Sequence, residues 1–205
     1  MSDIYIYFAI VLVSLLCNSL FCDEPEDNKY ISVLDKPFFS FTSSESQITL
    51  EGETSSFLNS SEFTIQFPIF TLNSNKTLVN INSKEAIYNK DIGSIKFKDS
   101  VEFQALNKGN NLIISSEEII LNLTNKTFSS AKNVSTNIND LEIKSLGIEI
   151  TQVAGNLYAE FSEGSFQIKN IGSTSRGYGK KVYINSEDDK IILEEQAQLD
   201  QDGFV

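Results

Sequence analysis

Side chains able to do acid–base or nucleophilic chemistry are few in this sequence. Histidine, the commonest general base and a frequent metal ligand, is absent from the 205 residues. Pairs of carboxylates begin at Glu117, Asp188 and Glu194, and such pairs could suggest acid–base catalysis or calcium binding. Neighbours on a strand point to opposite faces, so these carboxylates do not converge and indicate solvated strand edges. A hydrolase would have no nucleophile–base pair here, and we predict that the protein is not an enzyme.

The cysteines and the charge balance exclude further classes of function. Cys17 and Cys22 lie in or at the end of an N-terminal apolar segment, so they offer no disulfide framework and no metal-ligand spacing beyond it. We predict no cofactor and no metal. The net charge is -12 and Arg176 is the only arginine, which argues against binding to nucleic acid or docking on an anionic membrane surface. Any lipid partner must therefore be held by apolar contacts.

The N-terminal segment is apolar almost without interruption from Ile4 to Phe21. Its length is near the lower limit for a helix that spans a bilayer. We predict that residues 1–22 form an apolar helix that is either a signal peptide or a membrane anchor. Residues 23–37 are polar, start with an acidic run and contain Pro25 and Pro37, so they are predicted to be a linker.

A strand-turn-strand unit recurs along the rest of the chain. It occupies residues 84–103, 117–134 and 180–199, and Ile95 and Phe128 hold equivalent positions 33 residues apart. A unit of this size cannot bury its apolar face alone, so stacked copies predict a continuous antiparallel structure with one apolar interior. No helical period occurs after Asp23, and the folded part is predicted to be all-β.

Other segments agree with this prediction. Residues 38–41 and 48–50 flank a serine-rich turn and predict a hairpin. The next apolar run, residues 63–72, is interrupted by Pro68, which marks an edge strand or a bulge. Alternation would place on one face of that run Phe63, Ile65, Phe67 and Ile69. Loop-like residues 172–179 separate the last copy of the unit, so we divide the folded part into a main β region, residues 38–171, and an additional repeat, residues 172–205.

The order of these features resembles LptC, the membrane-anchored periplasmic component of the lipopolysaccharide export machine. The similarity runs from about Phe38 to Ile168, after an apolar segment and an acidic linker. The pattern that carries it is Ala86-Ile87-Tyr88-Asn89, a turn, Ile95-Lys96-Phe97, Val101-Glu102-Phe103, Gly109, Leu112, Ser115-Ser116-Glu117, Ile119 and Leu121. Residues 179–205 look more like one repeat of LptA, the soluble bridge protein of the same machine.

This resemblance implies an antiparallel β-jellyroll, open like a taco, that holds the acyl chains of lipopolysaccharide on its inner faces. The implied partners are lipopolysaccharide or a related glycolipid, the inner-membrane ABC transporter complex and an LptA-like bridge protein. The implied location is the periplasm, anchored to the inner membrane by the N-terminal segment. The apolar positions expected to bind lipid are Phe63, Ile65, Phe67, Tyr88, Ile95, Phe97, Val101, Phe103, Ile119, Leu121, Leu123, Ile143, Ile150 and Phe161.

Unpaired sheet edges would dock the neighbouring jellyrolls strand to strand. The edge positions expected to serve this purpose are Phe39, Phe41, Ile48, Leu50, Ile191, Leu193, Ala197 and Leu199. The alternative is a secreted or surface-anchored β-sandwich that adheres to other proteins or glycans and has sealed apolar faces. Its support is a set of Asn-x-Ser/Thr sequons, at Asn59, Asn75, Asn122, Asn125 and Asn133.

Overall fold

The computed structural model describes residues 33–202 except 44, 108, 154–155, 171–172 and 186–189. Every regular element in these ranges is a β-strand, so the all-β prediction is confirmed for them. No helix in the same ranges is long and apolar enough to cross a membrane. The predicted N-terminal helix, residues 1–22, lies outside the described residues.

Eighteen strands make up this part of the chain, and each pair of neighbours is antiparallel. They are β1 (Val33–Asp35), β2 (Phe38–Thr42), β3 (Ser46–Glu51), β4 (Thr54–Phe57), β5 (Glu62–Gln66), β6 (Ile69–Ser74), β7 (Thr77–Asn82), β8 (Glu85–Asn89), β9 (Ser94–Asn107), β10 (Asn110–Asn122), β11 (Thr127–Ser130), β12 (Val134–Ile138), β13 (Leu141–Ser145), β14 (Gly147–Val153), β15 (Asn156–Asn170), β16 (Ser173–Asn185), β17 (Lys190–Glu194) and β18 (Gln198–Asp202). β1 begins inside residues 23–37, so regular structure starts earlier than the linker prediction placed it.

The pairing forms two ladders of strands that share four long members. The first ladder runs β1, β4, β5, β8, β9, β10, β11, β14, β15, β16, β17. The second ladder runs β2, β3, β6, β7, β9, β10, β12, β13, β15, β16, β18. One half of each long strand, β9, β10, β15 and β16, pairs in the first ladder and the other half pairs in the second.

A line of corners, which we call the spine, marks where the chain passes from one ladder to the other. Successive corners lie at Lys36, Gly52, Phe67, Lys84 and Asp99, a spacing close to half of the 33-position sequence repeat. Several corner residues have positive φ, including Phe67 at 49° and Asp99 at 60°. Backbone hydrogen bonds join the corners, such as Phe67 N to Lys84 O at 2.8 Å and Lys84 N to Asp99 O at 3.1 Å. The spine therefore keeps its backbone polar groups paired while the strands bend.

The core lies between the two ladders. Most strands alternate buried and exposed side chains, as in β3 and β7, so each ladder has an apolar inner face and a polar outer face. Phe103 on the second ladder contacts Phe128 on the first, with ring centroids 5.1 Å apart. Phe70 and Phe97 meet in the same way at 5.7 Å. Burial of each such side chain stabilises the fold by about 1.5–3 kcal/mol, so the facing ladders share one core.

The predicted repeats form equivalent strand-turn-strand units. Residues 84–103 form β8 and β9, residues 117–134 form the end of β10 with β11 and the start of β12, and residues 180–199 form the end of β16 with β17 and the start of β18. The hairpin predicted for residues 38–50 is β2 paired with β3. The shared face predicted for the run from Phe63 is wrong beyond Ile65, because the corner at Phe67 turns Phe67 and Ile69 outward.

Candidate functional site

Most of the residues expected to bind lipid lie on the inner faces of the ladders. On the first ladder, one cross-strand row contains Phe63, Tyr88, Ile95, Leu121, Phe128, Ile150, Ala159, Ile184 and Ile191. A second row, nearer the spine, contains Ile65, Ala86, Phe97 and Ile119, and Phe161 continues it on β15. Phe103 and Ile143 lie on the inner face of the second ladder. These rows carry no charged residue, so the interior suits an apolar ligand.

The centre of this interior is closed. Ile95, Phe97 and Leu121 have no exposed surface, and Val101 and Ile119 are buried as well. The cross-ladder contacts of Phe70, Phe97, Phe103 and Phe128 fill the space between the ladders. An acyl chain would reach these side chains only if the ladders separated. Lipid binding by these residues therefore remains a prediction, and it would require the two ladders to move apart.

Two expected lipid-binding residues lie away from the inner rows. Phe67 stands at a corner of the spine with 54% of its surface exposed. Leu123 follows β10 in a turn, where its amide donates a hydrogen bond to the Gly93 carbonyl at 2.8 Å, and its side chain packs against the edge of the core. Neither side chain lies in the middle of an inner face.

A cluster of aromatic rings occupies the N-terminal end of the interior. Phe63 stacks on Phe39, with ring centroids 5.6 Å apart. It also packs edge-on against Tyr88 and Phe57, at centroid distances of 5.1 Å and 5.4 Å. Phe41 packs edge-on against Tyr88 at a centroid distance of 6.1 Å. Phe39 and Phe41 belong to the second ladder and the other rings to the first, so the cluster bridges the ladders. Burial raises the pKa of the Tyr88 phenol, because the charged form is disfavoured away from water.

A cleft of about 280 Å³ opens between the ladders toward the C-terminal end. Its apolar walls are Ala105, Leu112, Ile138, Leu141, Leu157, Ala159, Ile168, Ile184 and Ile191, and its polar rim is Asn107, Asn110, Asn139, Asn185 and Lys190. Ala105 and Leu112 in these walls also belong to the buried core. The cleft therefore leads to the same interior that the central phenylalanines fill, and its form, apolar with a few polar groups, is typical of ligand sites.

None of the residues expected to bind lipid lines this cleft, and Ile191 was expected only to dock a partner. The cleft walls come from the ends of strands, such as Leu112 near the start of β10 and Leu141 after the turn at residues 139–140. The signal was present in the alternation, because Leu112, Ile138, Leu141 and Ile168 occupy one cross-strand row. That row is visible only when the pairing of β10, β12, β13 and β15 is known.

The docking residues expected at the sheet edges fall into two groups. Phe39 and Phe41 lie on β2, Ile191 and Leu193 on β17, and Leu199 on β18, and each of these strands has one neighbour among the described strands. The remaining expected docking residues, Ile48, Leu50 and Ala197, lie elsewhere. Ile48 and Leu50 are buried on β3, between β2 and β6, and Ala197 lies between the bend at residues 195–196 and β18. Their part in docking remains a prediction.

Charged side chains lie on the outer faces. Lys96 pairs with Glu118 at 3.5 Å, Lys98 with Glu85 at 3.7 Å and Lys181 with Glu160 at 3.5 Å. Tyr183 and Glu160 raise the pKa of the Lys181 ammonium. No group of acidic, cysteine or histidine residues within the described ranges could hold a metal ion. The pair at Asp188 lies outside the described residues.

The chain matches the protein family described as lipopolysaccharide-assembly, LptC-related, over residues 40–157. The comparison with curated proteins finds no match. The matched residues extend from β2 into β15 and include strands of both ladders, the central phenylalanines and five of the nine apolar wall residues of the cleft. On this match, which spans more than half of its length, the chain belongs to the LptC family of lipopolysaccharide-assembly proteins.

Proposed function

We propose that this protein is the periplasmic lipid carrier of a lipopolysaccharide export machine and that it is a taco-like β-jellyroll whose two ladders open to admit lipid. It would hold the acyl chains of lipopolysaccharide or a related glycolipid between its two ladders. The observation that carries the proposal is the apolar cleft of about 280 Å³, which shares wall residues with an uncharged interior. Membership of the LptC family supports the same transport process.

Apolar contact is sufficient for this task. Removing one methylene group from water contributes about 0.8 kcal/mol, so several methylenes of one acyl chain hold it without a polar contact. The asparagine rim would then meet the polar part of the lipid, where amide groups donate and accept hydrogen bonds. In this role the protein needs no chemistry of its own, and the energy for movement would come from the ATPase of the partner transporter.

Each proposed partner is assigned to one end of the ladders. The segment before β1, residues 1–22, would anchor the protein to the inner membrane near the ABC transporter complex. The edges of β17 and β18 that have no partner among the described strands would pair with a strand of an LptA-like bridge protein, because such an edge offers a row of backbone donors and acceptors. Lipid would pass along the aligned interiors toward the outer membrane.

Native mass spectrometry of the full chain tests the proposal. The protein would be purified gently from a host that makes lipopolysaccharide. We expect a bound mass that matches a multi-acylated glycolipid and is lost when Leu157 in the cleft wall is changed to Asp. A matched variant, Glu149→Gln on the outer face, should keep the lipid. Apo protein that takes up no added lipid would contradict the proposal and favour the alternative of a sealed adhesive β-sandwich.

Photo-crosslinking locates the lipid. A photoreactive amino acid at Ile138 or Leu141 should trap lipid, and the same change at the outward-facing neighbours Asn137 and Glu142 should not. Phe97 and Leu121, compared with Lys96 and Asn122, test whether the chain also enters the closed centre. Equal labelling of inner and outer positions would rule out a lipid site between the ladders.

A further inference from the structure

The side of the molecule opposite the spine, which we call the mouth, is where the distal turns of the two ladders meet. The first ladder contributes the turn at residues 123–126 and the end of β14, and the second contributes the start of β3 and the bend at residues 75–76. Access to the closed centre from this side requires these segments to move apart. Contacts between the two ladders on this side therefore limit access to the closed centre.

One contact joins Lys126 of the first ladder to Ser46 of the second. The Lys126 ammonium donates a hydrogen bond to Ser46 Oγ at 2.9 Å, between residues 80 positions apart in the chain. Ser46 is buried and its hydroxyl is held by Ser43 Oγ at 3.1 Å, whose oxygen also accepts the Ser46 amide at 3.1 Å. A hydrogen bond with a charged donor to a pre-positioned oxygen is stronger than an ordinary one.

A second contact joins Gln152 of β14 to Ser74 of β6. The Gln152 side-chain amide donates to Ser74 Oγ at 3.1 Å, and the residues are 78 positions apart. Ser74 Oγ also donates to the Thr77 carbonyl at 3.1 Å, so the turn holds the acceptor in place. Both contacts thus have the same form, a long flexible donor on the first ladder and a serine fixed by its own turn on the second.

We propose that these two contacts form a clasp that holds the ladders together at the mouth and that must break before an acyl chain reaches the closed centre. The acyl chain as the ligand rests on the proposed function, whereas the separation of the ladders at the mouth depends on the fold alone. Beneath the clasp lies the inner row with Ile48, Leu72 and Val79, which are buried. Opening the clasp exposes this row first.

Thiol labelling of a buried position measures the opening without any lipid. Val79→Cys would be introduced into the full chain with Cys17 and Cys22 changed to Ser, since these are its two cysteines. Val79 is 1% exposed, so maleimide labelling reports transient opening. We expect Lys126→Met and Gln152→Leu each to speed labelling about tenfold, the effect of losing one hydrogen bond of this kind.

Two matched variants separate the clasp from a general loss of stability. Lys90→Met removes an exposed lysine from another turn of the first ladder. Gln104→Leu removes a hydrogen bond to Asn111 at 3.1 Å within the second ladder. Both should leave the labelling rate unchanged. If Lys126→Met and Gln152→Leu label no faster than these controls, the clasp is overturned. Ala86→Cys, a fully buried position on the first ladder, provides a second reporter if the Val79 variant does not fold.

Release of cis-parinaric acid, a fluorescent fatty acid, tests the occupant. The clasp variants should release it about tenfold faster, and joining Ser74→Cys to Gln152→Cys with a bis-maleimide should block both uptake and release. Faster labelling with faster release supports the whole proposal. Faster labelling in protein that binds no fatty acid supports a clasp over a sealed core and overturns lipid as the occupant, which is a failure of the proposed function and not of the clasp.

Discussion

Thr136 places a hydroxyl in the middle of the apolar interior. It lies on β12 between Ile114 and Ile143 on the neighbouring strands, is fully buried, and its Oγ1 has no hydrogen-bond partner in the described part of the chain. A buried hydroxyl without a partner costs about 1–3 kcal/mol. We therefore expect Thr136→Val, which keeps the shape of the side chain, to raise the free energy of unfolding by about 1 kcal/mol, measured by urea denaturation.

A matched substitution on the outer face should have the opposite effect. Thr71 Oγ1 donates to Asn80 Oδ1 at 3.2 Å, so Thr71→Val removes a hydrogen bond and should lower the free energy of unfolding by about 0.5–1.5 kcal/mol. Destabilisation by Thr136→Val would show that the Thr136 hydroxyl has a partner in solution. Such a partner would most simply be a ligand or a water in the interior.

The strands were predictable from sequence because each element follows a simple alternation. The repeat at residues 84–103 and 117–134 identified β8 to β12, and the apolar positions Ile95, Phe97, Ile119 and Leu121 are inside, as alternation requires. Alternation fails at the corners, where the backbone turns and the face of the following residues changes. Alternation placed Phe67 on the inner face with Phe63, but the corner turns Phe67 outward.

The cleft could not be predicted because it depends on which strands face each other. Leu112 and Leu157 are far apart in the chain and belong to different ladders, yet they line the same space. Their separation is set by how the two ladders pack, which no local pattern encodes. The same holds for the clasp, since the Lys126 and Ser46 positions read as ordinary turn residues.

The corner at Phe67 allows a test of the spine as a structural element. Phe67 has φ of 49°, a conformation that costs a β-branched residue about 1–2 kcal/mol and glycine almost nothing. We expect Phe67→Gly to be more stable than Phe67→Val by at least about 1 kcal/mol. At Ile69, equally exposed but within β6, the order should reverse, because a strand favours valine over glycine. Urea denaturation of the four variants gives both comparisons, and the same order at both positions would contradict the corner.

On the scale of the whole molecule, charge and apolar surface are separated. The net charge of -12 is borne by the outer faces and turns of the described part, together with the segments outside it, whereas the inner rows of the ladders are uncharged. A ligand held between the ladders thus gains little from electrostatic attraction. An anionic ligand must also approach against the field of an acidic protein, and salt weakens that repulsion.

This separation predicts how binding depends on headgroup charge. Lysophosphatidylcholine, which is zwitterionic, should bind with an affinity that changes less than about twofold between low and high salt. Lysophosphatidylglycerol with the same acyl chain should bind more weakly at low salt and approach the zwitterionic lipid at high salt. Isothermal titration with the full chain measures both. Tighter binding of the anionic lipid at low salt would mean that a cation, such as Lys190 on the cleft rim or Lys126 at the mouth, dominates recognition instead of the apolar walls.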